Sequence, residues 1–130
     1  MLADDDFDDA ELFSEAVMNL DPPVEFQHVQ DCSGLFGLLA GQQKKIPDIL
    51  FLDINMVPTT GWECLMRIKT NQEYNHIPII IYSTSSSNLD KQKARKLGAS
   101  GFLSKPSDFR VLVRILNDLA TADKVSMWEN

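Results

Sequence analysis

The chain has 130 residues, 44% of them hydrophobic, with 12 Lys and Arg against 19 Asp and Glu and a net charge of −7. That length and apolar fraction suit one compact domain, and no apolar run approaches the roughly 20 residues of a membrane span. An acidic balance of this size argues against a grip on nucleic acid, which needs a basic face.

Taken in chain order, short apolar runs alternate with amphipathic stretches. Met1–Ala3 is apolar and runs straight into acids, as the tail end of a strand would. Asp9–Leu20 reads as a helix with Leu12, Phe13, Ala16, Val17 and Leu20 on one stripe, and Asp8 with Glu11 has capping-box spacing. Val24–Val29 reads as a strand. Ser33–Ala40 reads as a helix that follows a cap at Asp31 or Ser33. Asp48–Ile54 is a nearly continuous apolar, β-branched run, the pattern of a strand covered on both faces. Gly61–Thr70 is a helix burying Leu65 and Ile68, with Trp62 or Cys64 nearby. Ile77–Tyr82 is a second doubly covered strand. Leu89–Leu97 is a charged helix that Gly98 is placed to stop. Gly101–Leu103 is a short strand, and Ser107–Ala120 is a helix with Phe109, Leu112, Ile115, Leu116 and Leu119 in phase. Residues 1–122 form the domain in this reading, and 123–130 form a short polar tail.

Strand and helix alternate five times, and right-handed crossovers then predict a doubly wound α/β sheet. The first strand is cut short, because only Met1–Ala3 precede Asp4. Cys32 and Cys64 lack CxxC spacing and are expected as separate reduced thiols. No basic-then-apolar leader is present, so a cytoplasmic location is expected.

The acids are not spread evenly. Residues 1–43 hold ten acids and no Lys or Arg, and six of those acids fall between Asp4 and Glu11. Such a knot repels itself and calls for water, a cation or a helix N-terminus to offset it. Asp6, Asp8 and Asp9 are expected to cap the first helix and favour its dipole. Asp4, Asp6, Asp8 and Glu15 have calcium-loop spacing, but position six is Asp9 rather than Gly and no helix precedes.

Ligands of a doubly wound sheet bind beyond the carboxyl ends of its strands. Those ends carry Asp4 and Asp5, then Asp53, then Ser83 and Thr84, then Ser104 and Lys105. Three carboxylates in one cleft need a cation, and hard oxygen ligands at low count suit Mg²⁺. With Lys105 and Ser83 they make a cradle for a phosphoryl group, where catalysis is mostly positioning and charge neutralisation. One carboxylate could then be the nucleophile.

Four segments together resemble response-regulator receiver domains of the chemotaxis-regulator type: LADDD at Leu2–Asp6, LDINM at Leu52–Met56 with Gly61 eight residues after Asp53, IPIIIYST at Ile77–Thr84, and GASGFLSKP at Gly98–Pro106. The resemblance covers essentially the whole chain. It implies a flavodoxin-like five-stranded parallel sheet in the order 2-1-3-4-5, flanked by five helices. It implies Asp53 as phosphoacceptor, Asp5 as a direct Mg²⁺ ligand, Asp4 as a ligand through water, and the Asn55 backbone carbonyl as a further ligand. Ser83 and Lys105 would contact the phosphoryl group, with Thr84 the less favoured neighbour, and Phe102 would stand at the aromatic switch position. A histidine kinase or phosphotransfer protein would be the donor, and the fourth helix, fifth strand and fifth helix would present a face to a downstream protein. Slow autodephosphorylation would follow, with no nucleic acid and no membrane insertion.

The sequence departs from the family pattern at Val57, where Pro is usual and Pro58 follows, so the loop over the site is expected to run differently although Gly61 keeps its place. Phe102 replaces the usual Tyr. Two other functions compete. A Mg²⁺-dependent phosphatase with an aspartyl nucleophile needs a second acid where Asn55 stands. A pseudo-receiver that only binds partners would not need the Asp4, Asp5, Asp53, Ser83 and Lys105 set. The bland readings are that His28 and His76 are structural, Trp62 and Trp128 pack, and Lys91, Lys93, Arg95 and Lys96 form a solvated helix face.

Overall fold

The computed structural model describes residues 1–41 and 46–128, so the last two residues of the expected polar tail lie outside the described residues. Its strands are β1 (Leu2–Ala3), β2 (His28–Val29), β3 (Leu50–Leu52), β4 (Ile79–Ser83) and β5 (Gly101–Ser104). They form one parallel sheet in the order β2-β1-β3-β4-β5. The helices between them are α1 (Phe7–Met18), α2 (Cys32–Leu39), α3 (Gly61–Lys69), α4 (Asn88–Lys96) and α5 (Phe109–Thr121). The doubly wound expectation and the strand order both hold.

The two-residue period of the strands divides the core between two layers. Leu50, Leu52, Ile79, Ile81 and Phe102 pack on one face with Leu35 and Leu39 of α2, Leu65 and Ile68 of α3, and Ala94 of α4. Phe51, Ile80, Tyr82 and Leu103 pack on the other with Phe13 and Val17 of α1 and Leu112 and Leu116 of α5. The strands are thus covered on both sides, which is why the runs read as continuously apolar.

The central strand is as short as expected, and the consequence spreads to its neighbour. Leu2 pairs with His28 and with Phe51, so residues 24–26 run past the start of β1, and the expected strand Val24–Val29 shrinks to His28–Val29. Below β1 an apolar cavity of about 580 Å³ opens among Phe13, Leu20, Phe26, Ile49, Leu116 and Val125. The Met1 ammonium lies at its edge and donates to the Ile49 carbonyl at 3.1 Å. Burial lowers that amine to about 6, against an opposing pull from Asp48.

Helix ends differ from expectation in ways the caps explain. Asp6, not Asp8, caps α1: its carboxylate accepts from the Asp8 and Asp9 N–H groups, so the helix starts two residues early. Leu12 points outward at 47% exposure, off the expected stripe, while Ala10 turns in. Asp31 caps α2 through Gly34 N, Thr60 caps α3 through Glu63 N, and Asp108 caps α5 through Arg110 N, which moves the start of α5 past Ser107. Gly98 closes α4 with φ +96°, a left-handed conformation that suits glycine.

The two cysteines are not separate thiols. Both sit near the starts of helices on the same sheet face, and Cys32 of α2 is disulfide-bonded to Cys64 of α3 with their Cα atoms 5.8 Å apart. Spacing along the chain, 32 residues, carries no hint of this, because the sheet topology makes the contact.

Candidate functional site

The ends of β1, β3 and β5 each fix one functional side chain through the backbone. Past β1, Asp4 donates its N–H to Val29 O at 3.0 Å, its carbonyl accepts from His28 Nε2 at 2.7 Å, and its Oδ1 accepts from Asp6 N at 2.9 Å. Past β3, Asp53 donates its N–H to Ala3 O at 2.9 Å, and its Oδ1 accepts from Asn55 N at 3.4 Å. Past β5, Lys105 donates its N–H to Ser83 O at 2.7 Å. Asp4 is fully buried and Asp53 is 4% exposed, whereas Asp5 faces solvent.

These ends converge. Carboxylate oxygens of Asp4, Asp5 and Asp53 all lie within 4.8 Å of one another. The Lys105 ammonium donates to Asp9 Oδ2 at 2.7 Å and Asp4 Oδ2 at 3.0 Å, and stands 4.0 Å from Asp53 Oδ2. It also sits 5.3 Å from the centre of the Tyr82 ring.

The site thus gathers three carboxylates, Asp4, Asp9 and Asp53, around one ammonium, with Asp5 beside Asp4 and Asp53. Burial raises Asp53 to about 6; the Asp4 charge adds to this, and Lys105 and the Asn55 N–H oppose it. Burial alone would lower Lys105, but its hydrogen bonds to Asp9 and Asp4 outweigh that and hold it above the ordinary lysine value. Tyr82 is pushed up to about 12, mainly by burial, so its phenol stays neutral at physiological pH. Three hard carboxylate oxygens at this spacing, with a charge excess that one lysine does not cancel, form a donor set that fits a Mg²⁺-sized cation.

Ser83 ends β4 fully buried, and its Oγ accepts from Ser85 N at 3.1 Å. Thr84 is exposed. Phe102 is buried on the α2–α4 face of β5. Gly61 keeps its place for a clear reason: its N–H donates to Ile54 O at 2.8 Å, and a Cβ there would run into the Asp53 carbonyl and lie 2.6 Å from Ile54 Cα. The loop between them holds a cis Val57–Pro58 bond, with Val57 projecting into solvent.

Asp9 does more than sequence reasoning expects: it stands in the first turn of α1 as read, and its carboxylate also makes the shortest contact to Lys105. The available signal is excess: six acids in eight residues exceed what one cap and a helix dipole use. Tyr82 is also missed as the ring beside Lys105. The lysine-rich helix is only partly a solvated face, because Lys93 lies 4.7 Å from the Trp62 ring centre and Arg95 lies 4.8 Å from that of Trp128.

A family model described as the response regulator receiver domain matches residues 1–117. Among curated proteins, the chain is 34% identical over 76 residues to the probable transcriptional regulator ycf29 of Pyropia yezoensis, covering 58% of this chain and 34% of that protein. It is 31% identical over 81 residues to protein PilH of Pseudomonas aeruginosa, covering 62% of this chain and 66% of that protein. The match thus spans less than two thirds of either relative. Among solved structures, the phosphorylated cyanobacterial phytochrome response regulator RcpA superposes with a TM-score of 0.79 at 27% identity, covering 89% of this chain and 86% of that one. The chemotaxis response regulator CheY4 of Vibrio cholerae gives 0.73 at 28% identity, covering 88% and 92%. The Mn²⁺-bound form of response regulator Rcp1 shares the fold at 0.79 and 22% identity, covering 92% and 89%.

Proposed function

The chain belongs to the response regulator receiver domain family, and from that premise we propose that it is a phosphoacceptor switch in which Asp53 takes a phosphoryl group from a phosphohistidine. The donor is a histidine kinase or a phosphotransfer protein. The observation that carries this reading is the juxtaposition at Asp53: a nearly buried carboxylate, two further carboxylates within 4.8 Å, and one ammonium 4.0 Å away.

An Asp53 carboxylate oxygen attacks phosphorus in line. The new O–P bond forms as the P–N bond to the donor histidine breaks, and the departing nitrogen keeps the electron pair. Asp5 and Asp53, with the Asn55 backbone carbonyl and with Asp4 through water, would hold Mg²⁺; when bound, it supplies positive charge that screens the carboxylates and the transferring oxygens. Lys105, held between Asp4 and Asp9, is poised to turn its ammonium onto a phosphoryl oxygen. The buried Ser83 hydroxyl, already accepting from Ser85 N, has its hydrogen available for another. Asp6 fixes the start of α1 and with it Asp9, so α1 positions the lysine without touching the reacting atoms. A shift of Ser83 toward the phosphoryl group would draw on β4 and on Phe102 beside it, and would reshape the face formed by α4, β5 and α5 for a downstream protein. Water attack on the acyl phosphate would reset the switch slowly.

The test uses acetyl phosphate with Mg²⁺ as donor and intact-mass analysis as readout. The wild-type chain is expected to gain one labile phosphoryl group, and Asp53→Asn is expected to gain none. Undiminished labelling of Asp53→Asn would sink the proposal, as would sustained turnover of a generic phosphate ester, which would favour a phosphatase.

A further inference from the structure

The outer edge of β5 is not open. Residues 125–128 lie along it as an added parallel segment: Phe102 N–H donates to Met127 O at 3.0 Å, and Met127 N–H donates to Ser100 O at 2.9 Å. The segment obeys strand alternation. Val125 and Met127 pack against the α1–α5 layer, and Trp128 packs against the α2–α4 layer, where Arg95 of α4 stacks on its indole at 4.8 Å. Gly101 is shaped for this approach, because a Cβ there would lie 2.5 Å from Met127 O and 2.7 Å from Met127 Cβ. A cavity of about 450 Å³ continues along β5 between Lys91 of α4 and Arg114 of α5.

We propose that the β5 edge is an acceptor for an extended, strand-forming peptide with an aromatic residue at the Trp128 position, and that the chain's own residues 125–128 occupy it in cis as a strap. An unpaired edge strand is a template for strand addition, and here one is already added. A partner that uses this edge must displace the strap, seat an aromatic ring on Arg95 and tolerate no side chain at position 101. Tethering gives the strap an effective concentration on the order of millimolar, so a weak contact suffices to exclude a dilute competitor. The inference stands whether or not Asp53 accepts a phosphoryl group.

The test compares three full-length chains by amide exchange and by titration with a synthetic peptide of residues 123–128, followed by NMR. Met127→Pro removes the N–H that bonds Ser100 and should free the edge while leaving it intact. Gly101→Ala should expel the strap and also block the edge. In the wild type, the Phe102 amide is expected to exchange at least tenfold more slowly than in either variant. The peptide is expected to shift the resonances of Phe102 and Arg95 in Met127→Pro at concentrations at least tenfold lower than in the wild type, and to leave both unmoved in Gly101→Ala. Equal Phe102 exchange in all three chains would overturn the strap. Absence of shifts in Met127→Pro would overturn the acceptor edge. A wild-type dimer that Met127→Pro converts to monomer would overturn the cis arrangement in favour of exchange between two copies.

Discussion

The sheet has a thin half and a thick half. β1 and β2 pair over two residues each, whereas β4 has five residues and β5 has four. The thick half is held in register by ladders of three or four residue pairs between side chains buried much as those of β1, whereas each ladder at β1 has only two pairs. There the side chains are fully buried, and the strand is pinned at its exit, where Asp4 is bonded through its N–H, its carbonyl and both carboxylate oxygens. The difference teaches that the thin half relies on the site itself. The charges that would accept a phosphoryl group also fasten the central strand, so chemistry and stability are coupled there and separable at β4.

The largest expected effect breaks that fastening. Lys105→Met leaves buried Asp4 and Asp53 facing each other without a cation, and should cost about 4 kcal/mol without divalent metal. Urea denaturation in EDTA measures it, and Mg²⁺ should restore part. An unchanged midpoint would show that the site does not hold the strand. Next, Leu2→Ala in the two-residue strand should cost about 3 kcal/mol, as much as Ile80→Ala in the five-residue strand, because both side chains are fully buried. A much smaller loss at Leu2 would mean that β1 contributes little.

Asp53→Asn should act in the opposite direction. The native carboxyl keeps its proton up to about pH 6, while the unfolded one releases it near its ordinary 3.8. The native state therefore binds more protons between those values, and this group makes stability fall as pH rises from about 4 to about 6 and level off above. Without divalent metal, the Asn variant should be more stable than wild type by about 1–3 kcal/mol at about pH 8, with the gain fading below about pH 4. Thermal melts across that range would show it, and a gain that persists in acid would refute the cause. The smallest effect is expected at His28→Ala, which removes one bond to the Asp4 carbonyl and should cost about 1 kcal/mol.

The parts of the fold that periodicity controls were legible. Apolar runs at 48–54 and 77–82 marked β3 and β4, and Asp53 and Ser83 stand at the strand ends as read. What depends on a partner far along the chain was not. Residues 24–26 read as strand, but β1 is too short to run beside them. The Asp6 cap was among those expected, but the further contact of Asp9 with Lys105, 96 residues apart, was not. The Cys32–Cys64 pairing and the seating of residues 125–128 on β5 likewise arise from topology. A polar tail with a lone Trp gave no sign that Gly101 had made room for it.

The Met1 amine, seated against the Ile49 carbonyl beside the apolar cavity, has a practical corollary for anyone labelling this protein. Residues added ahead of Met1 would meet the cavity wall formed by Phe13 and Val17 of α1 and by residues 46–49. Dyes and handles belong instead on the exposed side chains of Glu73, Asn75 and His76 in the turn ahead of β4.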